Sequence, residues 1–75
     1  MAEAESVRVE LAFEGGRIIA AVVTRETADA VERALTAGSQ GTMQLDTDDG
    51  RLTVVLPRIV YMKRYAREAS VGFGV

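Results

Sequence analysis

The chain of 75 residues contains no histidine and no cysteine. Without imidazole it lacks the usual proton shuttle near neutral pH, and without a thiol it lacks the thiolate nucleophile; both losses remove common ligands for zinc and iron. Most enzyme mechanisms are closed on these grounds. The sequence therefore predicts a non-enzymatic protein with no catalytic residue, no metal site and no cofactor. Disulfides are excluded too. Long apolar runs are also missing: the longest, residues 18–23, holds six residues, against the roughly 20 that a bilayer-crossing helix needs. The opening Met1-Ala2-Glu3-Ala4-Glu5 is acidic and has neither the basic start nor the apolar stretch of a secretory signal, so the expected location is the cytoplasm, with no membrane partner. A net charge of -2 gives no general attraction for nucleic acid or for an anionic membrane surface.

What is present is a sequence of alternating and helical patterns. Residues 1–6 read as a flexible N-terminus and residues 7–75 as a single domain. From Val7 the chain alternates, with Val7, Val9, Leu11 and Phe13 on one side and Arg8, Glu10, Ala12 and Glu14 on the other, the signature of a half-buried strand. Gly15-Gly16 then reads as a two-residue hairpin turn. Glu14 is expected opposite Arg17 and Phe13 opposite Ile18, which puts Ile18, Ala20 and Val22 on the apolar face of the first strand. Thr24 is the predicted N-cap of a helix over residues 25–37, with Glu26 and Asp29 near its positive end and Gly38 as its left-handed stop. Ala28, Val31, Ala34 and Leu35 make its apolar stripe, and Asp29 is placed to pair with Arg33.

A second hairpin turns on Asp49-Gly50, with Asp48 expected opposite Arg51; Met43, Leu45, Leu52, Val54 and Leu56 then share one face. Pro57 cannot donate to a ladder and should end that strand or sit on an edge. A fifth strand is expected over residues 59–65, then a turn at 66–69 and a last strand at 70–75. The whole reads as an α+β fold, a mainly antiparallel sheet in the order β-β-α-β-β-β(-β), with one helix packed on one face.

Two loops invite a ligand and are better read as turns. Asp46-Thr47-Asp48-Asp49-Gly50 has the oxygens of a calcium loop, but its glycine is fifth instead of sixth and Pro57 stands where the bidentate glutamate belongs. Gly15-Gly16-Arg17 joins two strands, whereas a phosphate-cradling loop leads from a strand into a helix. One cluster combines charge and rings: Arg58, Lys63, Arg64 and Arg67 with Tyr61 and Tyr65. Cations on phosphates and rings under bases hold single-stranded nucleic acid in this way. However, Tyr61, Lys63 and Tyr65 fall on one face of the strand and Arg64 on the other, and charge on an edge strand also guards against aggregation.

The segment Gly41-Thr42-Met43-Gln44-Leu45-Asp46-Thr47-Asp48-Asp49-Gly50-Arg51, with Leu56-Pro57, Ile59-Val60-Tyr61-Met62 and the closing Val71-Gly72-Phe73-Gly74, resembles a family of small actinobacterial proteins of unknown function that end in Val-Gly-Phe-Gly. The resemblance covers roughly the last 50 residues. It implies a helix before a Leu-x-Asp-x-x-Gly-Arg hairpin, then a Val-Pro step, one further strand and the closing Val-Gly-Phe-Gly, and it assigns no activity to any residue.

The sharper functional signal is an apolar surplus. Ala12, Ile19, Ala21 and Val23 on the reverse of the first hairpin, with Val55, Val60 and Met62, exceed what one short helix can cover. A sheet apolar on both sides needs a second layer. A chain this small hides only about 60% of its unfolded surface and has no disulfide to reinforce it. The expectation is a homo-oligomeric protein-interaction module with an interface on Ile19, Ala21, Val23, Val55, Val60 and Met62, a second copy or another protein being the partner. The alternative is a nucleic-acid-binding regulator using Arg58, Tyr61, Lys63, Arg64, Tyr65 and Arg67.

Overall fold

In the computed structural model, which describes residues 5–65, the chain runs through β1 (Ser6–Phe13), β2 (Arg17–Thr24), α1 (Arg25–Thr36), β3 (Thr42–Thr47), β4 (Gly50–Val55), a 3-10 turn (Leu56–Arg58) and β5 (Ile59–Arg64). This is the expected α+β order, with one helix and five antiparallel strands. The strands divide into a three-stranded sheet ordered β2-β1-β5 and a two-stranded sheet of β3 and β4. Pro57 lies in the 3-10 turn immediately after β4. The expected turn at 66–69 and strand at 70–75 fall outside the described residues. Among those residues no helix is long and apolar enough to cross a membrane.

The first hairpin departs from its expected register by one residue. Phe13 lies opposite Arg17, Ala12 opposite Ile18 and Leu11 opposite Ile19. The connection therefore contains Glu14 as well as the two glycines, and Gly15, at φ 92°, takes a backbone conformation that a side chain would strain. The Gly16 N–H closes this turn on the Phe13 carbonyl at 3.1 Å. Since directly opposed residues point the same way, a slip of one exchanges the faces of β2. Ile19, Ala21 and Val23 join Val7, Val9 and Leu11 on the inner face, and Ile18, Ala20 and Val22 turn outward, the reverse of the sequence expectation. The second hairpin slips by two instead, with Thr47 opposite Gly50 and Leu45 opposite Leu52. An even slip preserves the faces, so Leu45, Met43, Leu52 and Val54 remain together.

Helix α1 starts where its N-cap predicts. The Thr24 hydroxyl oxygen accepts the Thr27 N–H at 3.1 Å. Its C-terminus is a Schellman closure: Gly38 donates to the Leu35 carbonyl at 3.1 Å and Ser39 to that of Ala34 at 3.0 Å, which requires the positive φ of 70° at Gly38. The apolar stripe faces the inner side of the three-stranded sheet, with Ala28 and Val31 buried.

The core thus has two layers. Leu11 from the large sheet, Val31 from α1, and Leu45, Val54 and Leu56 from the second hairpin and its 3-10 turn pack as one cluster. Val9, Val23 and Ala28 form another, and Met62 packs against both. Helix and small hairpin together cover one face of the β2-β1-β5 sheet.

Two substitutions test these assignments by urea denaturation. Thr24→Ala is expected to lower stability by about 1 kcal/mol through loss of the cap. Leu45→Ala, at a site only 2% exposed, is expected to cost about 2 to 5 kcal/mol by leaving a cavity.

Candidate functional site

The other face of the large sheet carries no element of the described chain. Register alone lays out its side chains in three rows across β2, β1 and β5: Ile18, Ala12 and Tyr61; Ala20, Glu10 and Lys63; Val22, Arg8 and Tyr65. The β2 column is wholly aliphatic, and Ile18 is 56% exposed. The β5 column alternates ring, cation and ring, with Tyr61 at 44% and Tyr65 at 37% exposure.

Glu10 organises the β5 side. Tyr61 donates its hydroxyl to Glu10 Oε2 at 2.7 Å and Tyr65 donates to Oε1 at 2.8 Å, so each carboxylate oxygen has its own donor. These two hydrogen bonds, helped by Lys63 and Arg8, hold the Glu10 carboxyl below its ordinary pKa. Conversely, the bond to Glu10 keeps each tyrosine protonated to higher pH than usual. The Tyr65 ring is flanked by two cations, with Lys63 Nζ at 4.7 Å and the Arg8 guanidinium carbon at 5.3 Å from its centre.

Arg64 does not belong to this face. Its Nη1 donates to Asp29 Oδ1 at 2.8 Å and to Glu32 Oε1 at 2.9 Å, joining the end of β5 to the polar side of α1. The guanidinium, chiefly through its hydrogen bond, lowers the pKa of the Asp29 carboxyl. This is a different partner from the Arg33 expected of helical spacing. Arg58 pairs with Glu14 at 3.2 Å across the start of the bulged β1–β5 ladder.

The basic and aromatic residues singled out from sequence are therefore dispersed. Tyr61, Lys63 and Tyr65 share the uncovered face, Arg64 and Arg58 are each bound to carboxylates, and Arg67 lies outside the described residues. The apolar set is divided as well. Val23 is 4% exposed and packed with Val9 and Ala28, Met62 lies against the core, and Ile19 and Ala21 are half-buried on the inner face. Val55 and Val60 are exposed, at 45% and 63%. Val55, with Phe13, Ile19, Leu52, Val54, Arg17 and others, borders an open groove of about 320 Å³ between the ends of the two sheets. Sequence reasoning missed Glu10, Arg8, Ile18, Ala20 and Val22. The first two become legible only once β1 is known to pair with β5, and the last three depend on the hairpin register.

No family model, no curated protein and no solved structure matches this chain.

The hydrogen-bonded trio sets a pH response with a definite sign. The contribution of Glu10 to stability is present above its unfolded-chain pKa and is lost as pH falls through the lower folded value; those of Tyr61 and Tyr65 are present below their unfolded-chain values and are lost as pH rises through the higher folded ones. Removing both hydroxyls, Tyr61→Phe with Tyr65→Phe, is expected to move the Glu10 midpoint upward. Carbon-detected NMR of the side-chain carboxyl measures it, and an unchanged midpoint would remove the two hydroxyls as the cause.

Proposed function

We propose that the chain is a non-enzymatic protein-interaction module that associates with itself, using the side of the three-stranded sheet that α1 and the second hairpin leave bare. The observation that supports this reading is the placement of the exposed large apolar residues other than Val55, which belongs to the second hairpin. Ile18, Val60, Tyr61 and Tyr65 all belong to that sheet or to the residue that follows it, and Ala20 and Val22 extend the aliphatic column beside Ile18. A sheet face of this composition gains by excluding water; Glu10, Tyr61 and Tyr65 already hydrogen-bond one another, while Arg8 and Lys63, stacked on the Tyr65 ring, must keep their charged ends in water or meet acceptors of the partner. Glu10 offsets one of the two cations on this face, Arg8 and Lys63, whereas a phosphate backbone is held by several uncancelled cations, so a protein surface is the better-matched partner.

Sedimentation equilibrium of the full chain over a range of concentrations tests the proposal. A mass that rises toward a multiple of 8.1 kDa with concentration and is little affected by added salt is expected. A monomer throughout the micromolar range would overturn it.

A further inference from the structure

The two edges of the β2-β1-β5 sheet differ. On the β2 side, the turn of the second hairpin sits against the strand: the Asp48 N–H donates to the Val22 carbonyl at 3.0 Å, and the Val22 N–H donates to Asp48 Oδ1 at 3.4 Å. Both outward backbone groups of Val22 are thereby satisfied. On the β5 side, no strand of the described residues lies beyond β5. The direction of its free groups follows from one bond. The Tyr65 N–H donates to the Arg8 carbonyl at 2.9 Å, and because pairing in an antiparallel ladder alternates, Lys63 and Tyr61 also face β1 while Arg64 and Met62 direct their N–H and C=O groups away from it. The bulge opposite Phe13 leaves Val60 as an extra residue on this edge, and at 63% it is the most exposed of the large apolar side chains.

We propose that the free edge of β5 pairs antiparallel with β5 of a second copy about a two-fold axis through Met62. This rests on the self-association proposed above and adds a second contact to it: edge pairing does not cover the bare face but joins the faces of two copies into one wider surface. Charge and ladder length select the register. Opposed residues must point to the same face, so the axis can pass only through a residue, and the neighbouring choices fail: an axis at Lys63 sets the two lysines against each other, and one at Tyr61 shortens the ladder, because Arg64 would then meet Arg58 of the 3-10 turn, outside β5. Like charges directly opposed destabilise a sheet. With the axis at Met62, Lys63 lies opposite Tyr61 of the second copy and Arg64 opposite its Val60. The cation meets a ring, the exposed valine gains a neighbour, and the outward backbone groups of each copy face one another. The junction makes a continuous sheet in the order β2-β1-β5-β5-β1-β2, with the bare faces of the two copies side by side.

The register is tested by charge at position 61. Tyr61→Lys places a lysine opposite Lys63 at both symmetry-related points and is expected to weaken association about tenfold. Tyr61→Lys combined with Lys63→Ala removes the opposing charge and is expected to recover most of it, with circular dichroism reporting that both variants are folded. In the unmodified chain, hydrogen exchange at the Met62 and Arg64 amides should slow as concentration rises. A dimer whose affinity ignores Tyr61→Lys and whose β5 amides stay unprotected would overturn this geometry and leave self-association standing. A monomer would remove both. Protection of those amides that is independent of concentration would place residues of the same chain on the edge and would also overturn the proposal.

Discussion

Because Phe13 stands opposite Arg17 across a connection of three residues, the parity of β2 is set for its whole length, and with it the composition of both faces of the large sheet. Val23 enters the core beside Val9 and Ala28, and Ile18, Ala20 and Val22 are turned to the outside. Bulk does not make this choice, because each face of β2 carries one isoleucine, one alanine and one valine; the three-residue connection makes it. The inner face receives Ile19, Ala21 and Val23, whose bulk fits under α1 and the second hairpin. The outer face keeps an aliphatic column next to the polar and aromatic side chains of β1 and β5. The surface on which the functional proposal stands, uncovered among the described residues, is thus set by the register of the first hairpin.

The parts of this architecture that could be read in the sequence are those set by neighbouring residues. The N-cap at Thr24, the stop at Gly38 and the stripe of Ala28, Val31 and Leu35 are local, and α1 follows them closely. The alternation from Val7 to Phe13 and the break at Pro57 are local as well. Turn register is a weaker signal. Gly15-Gly16 and Asp49-Gly50 each mark a hairpin, but neither tells whether the residue before it belongs to the strand or to the loop. That uncertainty is harmless at Asp49-Gly50, where the pairing moves by two, and decisive at Gly15-Gly16, where it moves by one. The Glu10 network lay beyond reach for another reason: Glu10 is 51 and 55 residues from the tyrosines that bind it, and nothing in the pattern of β1 announces β5 as its neighbour.

The charged residues of β5 show how one strand can serve two layers. On the inner side Arg64 holds Asp29 and Glu32 and so fastens the helix to the sheet, with its side chain only 29% exposed. Such a partly shielded, doubly paired guanidinium contributes more than an open surface pair, since screening is weaker and one nitrogen serves two carboxylates. On the outer side Lys63 and Arg8 flank the Tyr65 ring, and Glu10 anchors its hydroxyl. The rings are therefore held in fixed orientations. A surface ordered before contact loses less side-chain entropy when a partner arrives.

The contact between Asp48 and Val22 has a consequence for the size of any assembly. A sheet open at both borders can add subunits without limit, as a bifunctional monomer polymerises, and fibres are the result. Here the hairpin turn sits on one border at Val22, so under the β5 pairing proposed above a third copy adding along β2 would have to displace that turn, which disfavours growth beyond two.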